Sequence, residues 1–173
     1  MKKLVISLIS LCTLGCDKDT QENILGDPTS IDIVTGMHIR SSRNSAPILL
    51  GNPNSNNKDN FIAFPNPPIG TLYISATSKI SNVWIIPSMA KKSFQEIGFS
   101  EILTSDIYTE NEIDSRSELR FPDQNATEIA LPLERLKVGY YKVFIKKNDT
   151  LYWDNIYVSD GSIGIEKLID SWK

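Results

Sequence analysis

From Ser30 onward, apolar and polar positions alternate with the period of two that marks half-buried strands. Ile31 and Ile33, then Met37 and Ile39, alternate with polar neighbours and are interrupted at Gly36. Ile48-Leu49-Leu50 is a short apolar run, and Gly51 to Asn60 (GNPNSNNKDN) is dense in turn formers, which predicts an exposed loop. Leu72, Ile74 and Ala76 fall on one strand face, whereas Val83-Trp84-Ile85-Ile86 predicts a strand buried on both. Pro65, Pro67 and Pro68 impose an extended entry without ladder donors, as at the edge of a sandwich.

Phe94, Ile97 and Phe99, then Ile102, Leu103 and Ile107, predict further short strands, with the acidic run Asp106 to Asp114 in a loop. Residues 128–133 alternate again. After Gly139, Tyr141, Val143 and Ile145 share one face, and Tyr140, Lys142, Phe144 and Lys146 the other. Asn148-Asp149 predicts a tight turn into a strand running to Val158. Ile165, Leu168, Ile169 and Trp172 stand at helical spacing, so a short amphipathic helix is expected over one end of the sheet. Short strands, frequent turns and one terminal helix predict an all-β sandwich, a single domain over residues 30–173.

The N-terminus follows another pattern. Lys2 and Lys3 precede an apolar run from Leu4 to Leu14, which ends in Gly15-Cys16 and an abruptly polar DKDTQEN. The run is too short to span a bilayer, which takes about 20 apolar residues, but suits a secretory leader. Thr13-Leu14-Gly15-Cys16 resembles the bacterial lipoprotein signal, with Thr13 where that family usually has Leu. The resemblance implies a signal peptide over residues 1–15 and acylation (palmitate and related chains) of Cys16 as the new N-terminus. Several acyl chains together would anchor the protein durably. Residues 16–29 are polar, with Gly26 and Pro28 breaking any helix, and are expected to form a flexible tether.

Asp17, Asp19 and Glu22 resemble the acidic export tag of surface lipoproteins in bacteria with type IX secretion. In other bacteria, Asp directly after the cysteine retains a lipoprotein at the inner membrane. The expectation is an outer-membrane, lipid-anchored protein, with both membrane faces open and the cell surface favoured.

Composition narrows the picture. Of two cysteines, Cys12 leaves with the leader, so no disulfide forms within the mature domain and the fold must rest on packing. Removing Lys2 and Lys3 takes the net charge from −3 to −5, a poor balance for binding nucleic acid.

Phe64-Pro65-Asn66-Pro67 followed by Leu72-Tyr73-Ile74-Ser75 resembles the opening of the C-terminal sorting domain of type IX secretion cargo. Ile80-Ser81-Asn82-Val83 is similar to that family's next strand, and Leu136-Lys137-Val138-Gly139-Tyr140-Tyr141 to its closing turn. The resemblance spans residues 61–158 and implies an Ig-like antiparallel sandwich in a bacterial envelope setting. The inserted segment between the matched blocks and the terminal helix depart from that family.

Catalytic chemistry is sparse in the sequence. His38 is the sole histidine, which excludes multi-histidine zinc sites, and it is read as a strand residue without a chemical role. No phosphate-binding glycine loop or dinucleotide fingerprint occurs. Asp106, Glu110, Glu112 and Asp114 could offer oxygen ligands to calcium, but not at EF-hand spacing. Trp84, Tyr140, Tyr152, Trp153 and Tyr157 lie on predicted strands; core packing is the favoured reading, and any that face outward could stack on sugar or anchor a protein. The expectation is a non-enzymatic lipoprotein with no cofactor and no metal. Its partners would be the membrane, through Cys16, and an envelope protein or a glycan. Alternatives are a carbohydrate-binding surface lipoprotein and a sorting-domain-like secretion component.

Overall fold

The structure is a computed structural model that describes residues 26–57 and 59–173. The leader, Cys16 and the first part of the expected tether lie outside the described residues.

The fold is all-β and sandwich-like, with a short C-terminal helix. Among the described residues there are nine strands: β1 (Ile33–Val34), β2 (Gly36–Ile39), β3 (Ile48–Gly51), β4 (Phe61–Phe64), β5 (Thr71–Ala90), β6 (Leu119–Phe121), β7 (Ala126–Pro132), β8 (Gly139–Lys147) and β9 (Thr150–Val158). The same residues form three short helices: α1 (Phe99–Ile102), α2 (Glu110–Arg116) and α3 (Ile165–Asp170).

The 20-residue strand β5 passes through both layers. Its first half pairs with β4 on one edge and β7 on the other; its second half pairs with β8 and β6. Register slips between Ser75 and Ile80 against β7, and between Ile80 and Asn82 against β8, mark bulges where the strand bends. The bend lets one strand supply both walls of the main core, so Leu72 and Ile74 pack in the same cluster as Val83 and Ile85. Phe61, Leu131, Tyr141, Val143, Ile145 and Ile156 belong to it as well. The antiparallel expectation needs one amendment, because β1 adds to the end of β5 in parallel.

The opposite face of the second layer is buried as well. Trp84, Ile86, Phe144 and Trp153 lie beneath Ile31 and the connection that carries Phe94, Phe99, Leu103, Tyr108 and Ile113. Farther along, Met37, Leu50 and Tyr157 meet Leu168 and Trp172 of the C-terminal segment. Alternation across β8 therefore holds, but both of its faces are interior, and Lys142 is fully buried. The β8–β9 hairpin turns through Asn148 and Asp149, both at positive φ (50° and 59°), as the primed hairpin turn requires.

Two expectations are corrected. The stretch from Phe94 to Ile107 carries the short helix α1 rather than short strands, and α2 takes in half of the acidic run expected as a loop. Its cause is local: Thr109 Oγ1 accepts from the Glu112 N–H, with Glu110 and Glu112 in the positive first turn. Residues 51–60 are not simply an exposed loop, since Asn54 and Asn56 are buried. Asn54 Nδ2 donates to the carbonyls of Pro28 (3.0 Å) and Ile33 (2.9 Å). Its Oδ1 accepts from Thr35 N–H (3.2 Å) and Asn155 Nδ2 (2.9 Å). Polar residues go inside here because they satisfy backbone groups that no strand pairs.

Candidate functional site

The five strand aromatics do not form a surface strip. Trp84, Trp153 and Tyr157 are buried, because the α1–α2 connection and the β2–β3/α3 layer cover the face they occupy. Tyr140 is half-buried, with its ring edge-on to Tyr157 (4.9 Å) and Trp172 (5.9 Å). Tyr152 is half-buried under the Lys147 ammonium, 5.2 Å from its ring centre. The acidic stretch is divided among separate partners. Glu110 pairs with Lys146 (2.8 Å), while Asp114 accepts from Trp84 Nε1 (3.1 Å) and Arg120 (2.8 Å). Among the described residues, no group of three or more His, Cys, Asp and Glu side chains is arranged to hold a metal.

A polar cleft of about 260 Å³ opens beside β2, β4 and β9, lined by His38, Arg40, Asn57, Asp59 and Asp154 over an apolar floor that includes Phe61 and Ala63. Strand phase explains the floor: Phe61 and Ala63 share a face of β4 and belong to the main core. Asp154 occupies the same face of β9 as Ile156 and Val158, at the core's rim, and is 8% exposed. Its carboxylate accepts from Asn57 Nδ2 (3.1 Å) and from the Asn155 N–H (2.8 Å). Burial pushes the Asp154 carboxyl above the usual carboxylate range, opposed by His38, by these hydrogen bonds and by Arg40. Asn57 Oδ1 is buried and has no hydrogen-bond partner among the described residues. Arg40 Nη1 donates to the carbonyls of Arg43 (3.2 Å) and Ser45 (3.0 Å), which fixes the guanidinium at the cleft wall.

β2 is held against the main sheet by side-chain amides. Asn66 Nδ2 donates to His38 O (2.7 Å) and Asn155 O (3.1 Å), and Asn155 Nδ2 donates to Gly36 O (2.8 Å). β3 lies outside β2 and, among the described residues, pairs only with it. Its other edge is unpaired among the described residues, and its Ile48 (49%) and Leu49 (58%) side chains are exposed. The β2–β3 loop then reaches across to β7, where Arg43 pairs with Glu128. Beside that pair, the Phe64 and Tyr73 rings stack 5.7 Å apart at 21°, with Tyr73 46% exposed.

Compared with known proteins, the chain matches no family model, no curated protein and no solved structure. Of the residues singled out from sequence, only His38 falls in the cleft. Asp154 carries a signal in the sequence: an acid in phase with Ile156 and Val158 in a mostly apolar strand. Nothing in the sequence marks Phe64 and Tyr73 as a stacked, partly exposed pair. No helix among the described residues is long and apolar enough to cross a membrane.

Proposed function

We propose that the chain is a lipid-anchored, non-enzymatic envelope lipoprotein that binds a protein partner, using the free edge of β3. The observation that carries this reading is the pair of exposed apolar side chains, Ile48 and Leu49, on a strand with one edge unpaired among the described residues. Such an edge is a template for a partner strand: backbone hydrogen bonds give affinity, and alternate side chains give selectivity. The Gly15-Cys16 leader supports attachment to the outer membrane, and the resemblance over residues 61–158 supports a bacterial envelope setting.

Site-specific photo-cross-linking in the producing cell tests the edge. A cross-linker at Leu49 is expected to trap one discrete protein, whereas one at Lys79, exposed on the β5 bend, traps none. Equal labelling from both positions, or none from Leu49, overturns the reading.

Carbohydrate binding is the second reading, favoured by the Phe64–Tyr73 pair beside Arg43 and Glu128. Aromatic faces stack on sugar rings, and flanking charged groups bind hydroxyls. Tyr73→Ala would then abolish glycan retention while leaving the Leu49 cross-link intact. A sorting-domain-like secretion role rests on the sequence resemblance alone.

A further inference from the structure

We propose that the cleft between β2, β4 and β9 binds a small zwitterion, a molecule carrying a primary ammonium and a carboxylate. The site draws on residues other than Ile48 and Leu49, although Pro47 beside them lines it, and the inference stands whether or not a protein docks on β3.

The ammonium half follows from Asp154, whose carboxylate lines the cleft. That carboxylate receives two donors, whereas an ionised carboxylate offers roughly four lone-pair sites. Asp59 adds a second carboxylate to the lining. An ammonium brings three donors and a positive charge, and would stabilise the ionised form of Asp154.

The carboxylate half follows from Arg40. Two backbone carbonyls hold Nη1, and the remaining guanidinium donors have no partner among the described residues. A fixed guanidinium fork is suited to a carboxylate. His38 stands on the same wall and adds a further donor for an anion. A bare metal cation fits less well, because among the described residues no three His, Cys, Asp or Glu side chains are arranged to hold one. The apolar floor of Phe61 and Ala63 and the volume of about 260 Å³ restrict the occupant to a small molecule.

The test is an amide-resonance titration of the purified protein with glycine, β-alanine and γ-aminobutyrate, which separate the two charges by increasing lengths. Acetate and methylammonium, each with one of the charges, are the controls. At least one zwitterion is expected to shift His38, Asn57 and the Asn57 side-chain amide, binding roughly tenfold or more tightly than either control. Asp154→Asn should remove the preference. Arg40→Lys, which keeps the charge but loses the fork, is a second variant that leaves Asp154 in place and should reduce it. If no probe shifts these residues, or if single-charge compounds bind as well as zwitterions, the proposal is overturned.

Discussion

Lys142 Nζ donates to the Tyr108 hydroxyl across 3.4 Å, and the two side chains grip consecutive carbonyls of the chain entering the domain. Lys142 holds Ser30 O at 3.0 Å, and Tyr108 donates to Thr29 O. The tail end of the expected tether is thereby fastened to the core, next to the Asn54 amide on Pro28. Force or motion passed along an anchored N-terminus would reach the fold at this clamp.

The clamp makes stability depend on pH. Burial pushes the Lys142 ammonium down to about 7, with Asp32 and Asp27 pulling weakly in the other direction, against 10.5 for the free side chain. Between about 7 and 10.5 the unfolded chain therefore binds a proton that the folded chain has given up. Stability contributed by this group rises with pH across that window, and the full cost of the buried charge persists below it. Urea unfolding at about pH 6 and about pH 9.5 should show a wild-type gain that Lys142→Met lacks. An identical pH dependence in both proteins would contradict the assignment.

Asn54 serves four hydrogen bonds from a position with no exposure. Asn54→Ala leaves Thr35 N–H, two carbonyls and the Asn155 amide without that partner. The expected loss is about 3 kcal/mol or more, measured by chemical denaturation. A change under about 0.5 kcal/mol, typical of surface sites, would show that the network is dispensable.

Helix α2 stands on one cap. Thr109→Ala removes the acceptor for Glu112 N–H and should cost about 1 kcal/mol. Because Asp114 in this helix accepts from Trp84 Nε1, tryptophan emission should change with it. Thr109→Ser should restore both, and failure of that rescue would point to packing rather than capping.

Gly51 combines φ of +62° with a crowded site. A Cβ there would lie 2.7 Å from Thr35 O and 2.8 Å from the Trp172 ring. Gly51→Ala should destabilise by about 1–3 kcal/mol and displace α3 from β3, read as loss of protection of the C-terminal amides in hydrogen exchange. Unchanged protection would mean that α3 docks independently of this turn.

The strand framework was legible because its faces keep a strict period. Leu72 and Ile74, the run Val83–Ile86, Tyr141 to Ile145, and the Asn148-Asp149 turn all read correctly. So did the helical spacing of Ile165, Leu168 and Trp172. The stretch from Phe94 to Ile107 reads as strands and Asp106 to Asp114 as a loop because short helices bury single residues such as Phe99 and Ile113, too few to show a period. The Thr109-x-x-Glu112 capping signature was present and outweighed by the acidic composition around it. Asn54 misled for a different reason: composition marks asparagine as a turn former, but tertiary carbonyls decide whether it is buried. The cleft was not legible, because His38, Asn57 and Asp154 come from distant segments that only the bent β5 and the asparagine bridges bring together.

The most direct measurement of the central claim is surface labelling and protease accessibility on intact cells, comparing wild type with Cys16→Ser. Wild type is expected to fractionate with the outer membrane and be labelled from outside, and Cys16→Ser to be released into soluble fractions. Membrane retention of Cys16→Ser would contradict the lipid anchor and the reading built on it.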